Sequence, residues 1–500
     1  MKRKSGILLP VASLPSPCGI GCFSKEAYEF VDFLAAAGQS YWQILPLGQT
    51  GYGDSPYQSF STFAGNPYFI DPVSLCDKGW LKQSELKKYD FGDDPQYVDY
   101  EKIWKSRFKM LHAAYRRSPY TLSAPDSKER QAFEVFIEEK KDWLPDYALF
   151  SALKDRQKGK SFLEWPNPLR TRQDKALKKA KEELAEEIRF VEFQQYLFFA
   201  QWHALRSYAA ERGIKIIGDI PIYVALDSAD TWASGDLFQL DEDGQPTQVA
   251  GCPPDAFSAT GQLWGNPLYR WDYHKKTGYT WWMNRLRNCF DLYDVVRIDH
   301  FRGFDEYYAI PYGDATAEFG HWEKGPGFDL IGLVKKTFGK DKVIAEDLGF
   351  LTPSVLSLVK KSGFPGMKVL QFAFDSREES DYLPHNYPRN CVVYTGTHDN
   401  ETMAGWCRTV KRADYRFAKK YLGFSGRKDP QVHFIRAALS SVADTAIIPI
   451  QDYLGLGSEA RINTPSTLGG LNWKWRLLPG QLTDDLAASI REMTRLYGRL

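Results

Sequence analysis

Three acidic side chains stand directly after short apolar runs, where a strand would hand its chain to a loop. Asp299 closes the run Asp294-Val295-Val296-Arg297-Ile298-Asp299, ahead of His300-Phe301-Arg302-Gly303. Glu346 follows Val343-Ile344-Ala345, and Asp399 follows Val392-Val393-Tyr394-Thr395-Gly396-Thr397-His398. Side chains alternate along an extended segment, so Arg297 and Asp299 share one face. A guanidinium beside a carboxyl favours the ionised form that a nucleophile requires. Glu346 emerges from an apolar run, where desolvation disfavours the charge and makes a general acid. A single Asp after a strand serves as readily as a helix cap or turn residue. Three such sites in order, two with an adjacent His and one with an inward Arg, form the set for retaining displacement at the anomeric carbon of a sugar. One carboxylate attacks, a second protonates the leaving oxygen, and the third binds hydroxyls of the strained ring. Retention requires the first two to stand about 5–5.5 Å apart.

These groups need a scaffold that makes strand ends converge. Apolar β-branched runs alternate with amphipathic helical stretches, which argues for a parallel sheet with crossover helices. Strands are expected at 41–47, 215–222, 295–298, 343–345, 368–374, 392–395 and 446–450. Helices are expected at 27–37, 285–292 and 353–362, the last with Thr352 as N-cap and Pro353 in its first turn. Residues 79–212 are charged, strand-poor and helical, and read as an insertion packed on the sheet, its charge run a solvated face. The expected fold is α/β: one catalytic (β/α)8 TIM-type barrel over residues 1–500, with that mainly helical insertion. Only about 50 residues follow the last strand, so no C-terminal β-sandwich domain is expected. Catalytic groups of such a barrel lie at the C-terminal strand ends. A doubly wound sheet is the alternative, but Gly19-Ile20-Gly21 lacks both the remaining glycine and a preceding strand.

Composition narrows the ligand. Over 500 residues, 64 Lys+Arg against 63 Asp+Glu leave a formal charge of +1. Neither nucleic acid nor an anionic membrane surface is therefore an expected partner. The 43% hydrophobic and 25% charged content excludes global disorder. The 15% aromatic content fits an uncharged ligand with flat apolar faces, such as a sugar, although most rings belong to the core. Seven scattered cysteines form no zinc pattern and suit a reducing, cytoplasmic compartment. The basic start Lys2-Arg3-Lys4 precedes Gly6-Ile7-Leu8-Leu9, but Pro10, Pro15 and Pro17 break the run before it makes a signal peptide or a membrane span.

Further segments carry a resemblance. Gly51-Tyr52-Gly53-Asp54 runs into Ser55-Pro56-Tyr57-Gln58-Ser59, and Gly218-Asp219-Ile220-Pro221-Ile222-Tyr223-Val224 ends a strand. Gly251-Cys252-Pro253-Pro254-Asp255 leads into Phe257-Ser258-Ala259-Thr260-Gly261-Gln262-Leu263-Trp264-Gly265-Asn266-Pro267. Gly457-Ser458-Glu459-Ala460-Arg461 and Asn472-Trp473 lie near the C-terminus. With the three carboxylate segments, the chain resembles the 4-α-glucanotransferases of the amylomaltase, or disproportionating enzyme, family within the α-amylase superfamily. The resemblance implies Asp299 as nucleophile, Glu346 as acid/base and Asp399 as transition-state stabiliser. It implies that Arg297 orients Asp299, that His398 holds sugar hydroxyls, and that Ser55, Tyr57, Asp219, His300, Gln262, Trp264, Phe257 and Asn472 contact substrate. It implies a lid at about 251–267, in which Ala256 replaces the first ring of the aromatic pair that many members carry. The implied partners are maltooligosaccharides, amylose and glycogen-derived α-1,4-glucans, acted on by a monomer or weak homodimer. No cofactor or metal is implied, because both half-reactions are displacements at one carbon, and cyclic glucans are an expected side product. A retaining α-glucan hydrolase would use the same trio. A Mg²⁺-dependent barrel enzyme would need a Lys or His base on a facing strand, and no such pairing is visible. A non-catalytic glycan-binding protein is the remaining rival.

Overall fold

The computed structural model describes residues 3–124, 126–254, 258–349, 351–426 and 428–500. Eight parallel strands carry the molecule: β1 (Lys4–Leu8), β2 (Tyr41–Gln43), β3 (Lys215–Pro221), β4 (Val295–Asp299), β5 (Val343–Ala345), β6 (Gly366–Val369), β7 (Cys391–Tyr394) and β8 (Thr445–Pro449). Their order follows the chain, and β8 pairs with β1 as Lys4 with Thr445 through Leu8 with Pro449. Closing the sheet on itself makes the expected (β/α)8 barrel. The β5–β6 seam is thinner. There Ala345 N–H donates to Pro365 O at 2.9 Å, and Met367 N–H donates to Asp347 Oδ1 at 2.7 Å.

Six of the eight strands fall where the sequence places them, β2 with a shorter end, while β6 begins at Gly366 and shares only Lys368 and Val369 with the strand expected at 368–374. Past Val369 the apolar run continues as a 3-10 turn, Leu370–Phe372, rather than as strand. The strand not anticipated is β1, which lies in the stretch weighed above as a signal peptide. It is buried along four of its five residues between β8 and β2. Its Gly6 admits close strand approach: a Cβ there would lie 2.5 Å from Tyr41 Cβ and 2.8 Å from Ile447 Cδ1.

Crossover helices follow the expected pattern. Lys25–Ala36 covers the region after β1, and Thr280–Leu292 precedes β4. Pro353–Ser362 begins at Thr352, whose side chain caps Val355 N–H, and ends at Gly363 with φ 71°. Between β2 and β3 the chain is helical, including Tyr100–Arg117, Leu144–Arg156 and Ala185–Glu211. The last helix buries Phe193, Leu197, Phe198, Trp202 and Leu205 and packs against Leu144–Arg156 and β3. Its Gln195, also buried, accepts from Gly65 N–H at 2.8 Å and donates to Gly65 O at 2.9 Å. That amide fixes the loop running out of β2.

A second tie holds the same loop. Arg285, fully buried, donates to Thr62 Oγ1 at 2.7 Å and to the carbonyls of Pro221 (2.6 Å) and Ile222 (2.9 Å) at the end of β3. The loop after β2 and the end of β3 thus form one rigid rim. A four-stranded antiparallel sheet stands beyond β3 and β4, in the order Gln262–Pro267, Gln248–Cys252, Glu306–Pro311, His321–Lys324.

Candidate active site

Asp299 is the last residue of β4, and Arg297 lies two positions earlier on the same face. Arg297 bridges two carboxylates: Nη1 reaches Asp219 Oδ2 at 2.6 Å and Nη2 reaches Asp299 Oδ1 at 2.9 Å. Register explains the pairing, because Asp219 on β3 is the direct neighbour of Arg297 on β4. Burial opposes the Arg297 charge, yet Asp219 and Asp299 hold its pKa above the ordinary guanidinium range. Asp219 is 0% exposed, and burial raises its pKa against the pull of Arg297. Tyr57 Oη donates to the same Asp219 Oδ2 at 2.9 Å. Asp219 Oδ1 is buried without a hydrogen-bond partner among the described residues.

Glu346 follows β5 and is held by two backbone donors. His300 N–H reaches Oε2 at 2.7 Å, and Leu348 N–H reaches Oε1 at 2.9 Å. The first tie brings it beside Asp299, the residue preceding His300. Desolvation first, then the charge of Asp299, push the Glu346 pKa up to about 7, against Arg297 and the two backbone bonds. His300 turns the chain in the left-handed region, with φ 54° and ψ 48°. Burial pushes its imidazole pKa down to about 3, so the ring is neutral, and Nε2 has no partner among the described residues. Trp264 packs edge-on against this ring at 4.8 Å between centroids.

Asp399 lies in the loop after β7 with its side chain 41% exposed. His398, buried beside it, stacks on Tyr57 at 5.2 Å, and Trp473 leans on both rings at 5.8 and 5.9 Å. The ends of this loop are pinned by Asp452, which is 1% exposed. Thr395 Oγ1 donates to Asp452 Oδ2 at 2.5 Å, and Met403 N–H donates to Oδ1 at 2.7 Å.

Asp299, Glu346, Arg297, Asp219, Tyr57, His300, Trp264, His398 and Asp399 are therefore linked by direct contacts or by ties between adjacent residues. The other expected contacts stand differently. Ser55 Oγ accepts from Tyr57 N–H at 3.2 Å and so shapes the turn that presents Tyr57. Gln262 Oε1 accepts the Trp264 indole N–H at 3.1 Å. The Asn472 amide is spent on its own loop, accepting from Thr464 N–H at 2.9 Å and donating to Thr467 Oγ1 at 2.9 Å. Phe257 and Ala256 lie outside the described residues. Residues 251–267 otherwise form most of an antiparallel hairpin, with Gly251 opposite Leu263. The sequence reading omitted Asp452, Asn463 and the ring of Trp473. Only the motif dipeptide Asn472-Trp473 pointed towards the last.

Against known proteins, a family model described as 4-alpha-glucanotransferase matches residues 9–482. The 4-alpha-glucanotransferase of Thermus thermophilus is 49% identical over 507 residues, covering 100% of both chains. That of Clostridium butyricum is 48% identical over 491 residues, covering 98% of this chain and 99% of its own. Among solved structures, an amylomaltase from Streptococcus agalactiae, in complex with acarbose, superposes with a TM-score of 0.96 at 40% identity over the whole of both chains. Barrel, carboxylate order and whole-length similarity agree, and the chain belongs to the 4-α-glucanotransferase family.

Proposed function

We propose that this enzyme transfers α-1,4-glucan segments by retaining double displacement at the mouth of the barrel. Asp299 attacks the anomeric carbon while Glu346 gives its proton to the departing glycosidic oxygen, forming a covalent glycosyl-enzyme. Glu346, now ionised, takes the proton from the 4-hydroxyl of an acceptor sugar, which displaces Asp299 and restores the α-linkage. Asp399 and His398 hold hydroxyls of the distorted ring. Tyr57, Asp219, His300 and Trp264 line the donor side, with Ser55, Gln262 and Asn472 shaping the loops around them. The observation that carries this reading is the unequal treatment of two neighbouring carboxyls. Arg297 pairs with Asp299, whereas the Glu346 pKa is raised to about 7, so that a large share of this carboxyl keeps its proton near neutrality.

Transfer wins over hydrolysis when an acceptor sugar is held near the intermediate, since positioning is worth several kcal/mol. A lid at 251–267 would also exclude water. Intramolecular acceptors would give cyclic glucans. The acarbose complex of the amylomaltase neighbour supports maltooligosaccharides, amylose and glycogen-derived α-1,4-glucans as substrates. No disulfide joins the seven cysteines, which fits a cytoplasmic enzyme, and a monomer or weak homodimer suffices for this chemistry. Among the described residues, no helix is long and apolar enough to cross a membrane.

Incubation with maltotriose tests the reading. Glucose and longer maltooligosaccharides should appear with almost no net gain in reducing ends. A steady rise in reducing ends would make the enzyme a hydrolase.

A further inference from the structure

Asp399 is held from one side only. Asn463 Nδ2 donates to its Oδ1 at 2.6 Å, and His398 Nε2 stands 3.4 Å from the same oxygen. Oδ2 makes no hydrogen bond to the described residues, and the side chain is 41% exposed. The segment supplying Asn463 is fixed to the Asp399 loop by two further bonds, and a third braces the segment itself. Asn463 N–H donates to His398 O at 3.1 Å. Arg461 donates through Nη2 to Asp399 O at 2.7 Å and through Nε to Asn463 O at 2.7 Å. The amide therefore arrives on a backbone already locked to its target. It fixes the carboxylate plane and occupies one oxygen, which leaves the other to meet substrate.

We propose that Asn463 is the positioning residue for Asp399, setting its direction so that Oδ2 alone faces the reacting sugar. This rests on the reading of Asp399 as the group that holds the distorted ring. The geometry separates the proposal from a merely structural contact. A carboxylate bound only through Oδ1 can rotate about its Cβ–Cγ bond once the amide is removed, while the backbone ties from Arg461 and Asn463 N–H remain. Loss of Asn463 should thus affect the transition state more than the fold or the binding of substrate.

The test is steady-state disproportionation of maltotriose by wild type, N463A, N463D and D399N, with melting temperatures recorded alongside. N463A should lower kcat by about 10- to 100-fold, the scale of a misdirected group. Its KM should move by less than about threefold, the signature of an interaction made in the transition state. N463D sets a second carboxylate against Oδ1, and two such groups at this distance share a proton rather than both ionising. His398, Arg461 and Glu401 also face this pair and are unchanged in both variants. The kcat ratio of N463D to wild type should therefore change with pH, whereas that of N463A should stay flat. An unaltered kcat in N463A, or equal losses in both variants at every pH together with matching drops in melting temperature, would overturn the proposal while an inactive D399N upholds Asp399. A fully active D399N would overturn the reading of Asp399 and the proposal with it.

Discussion

Replacing Glu346 by glutamine should cost most of the activity and yet abolish a loss of stability that the wild type suffers as the pH rises from acid to neutral. The folded pKa of about 7 stands against an ordinary value of 4.5, raised by burial and by the charge of Asp299. Between those values the unfolded chain has lost this proton while the folded one retains it. Stability therefore falls by about 1.36 kcal/mol per pH unit across the window and levels off above it. The total is at most about 3 kcal/mol, less the screening that solvent in the cleft supplies. A glutamine side chain cannot ionise and escapes that loss. It brings its own penalty, because one amide N–H₂ would face the N–H of His300 or Leu348, a cost of about 1–3 kcal/mol. That penalty is the same at every pH and cancels when differences are compared between two pH values. At about 2 cal/mol/K per residue, the unfolding entropy of a chain this size converts about 3 kcal/mol into about 3 °C. The melting temperature of the variant minus that of wild type should therefore rise by about 2–3 °C from pH 5 to pH 8. In the maltotriose assay the variant should lose about 10²- to 10⁴-fold in kcat, the share of a general acid. Wild-type kcat/KM should decline above about pH 7, as the acid loses its proton. A difference in melting temperature that does not change with pH would show that Glu346 ionises in the folded protein as it does in water, and would refute the acid assignment.

Other perturbations probe the surrounding contacts. Arg297→Met leaves Asp219 buried without its partner and should cost about 3–5 kcal/mol in denaturant unfolding, whereas adding Asp219→Asn should recover part of that loss. Tyr57→Phe removes only the bond to Asp219, while Tyr57→Ala also removes the stack on His398, so KM for maltotriose should rise further in the second by about 3- to 10-fold. Asp452→Ala frees both ends of the loop bearing Asp399 and should lower kcat together with the melting temperature, with about 1–3 kcal/mol lost for each donor left unmet. Chelation with EDTA should leave transfer unchanged, since both half-reactions are displacements at one carbon carried by two carboxyl groups.

The sequence alone determined the family and the order of its acidic segments. Acidic residues following apolar runs, with Arg297 two positions before Asp299, are local patterns, and period-two alternation tells which side chains share a face. The strand–helix rhythm determined the barrel class in the same way. Even the cap at Thr352 and the helix from Pro353 were readable, because capping depends on neighbouring residues. β1 was not readable: five residues with a central glycine show no period, and only its burial between β8 and β2 makes them a strand. Tertiary structure also decided which polar groups meet. Tyr57, Asp219 and Arg297 are separated by more than a hundred residues at the widest, and parallel register alone sets the last two side by side. Asn463 reaches Asp399, and Asp452 pins the loop ends, across gaps of about fifty to sixty residues. Asn472, in contrast, turns out to bond its own loop. Side-chain hydrogen bonds have no periodicity along the chain. They form between whatever donors and acceptors the closed barrel brings within reach.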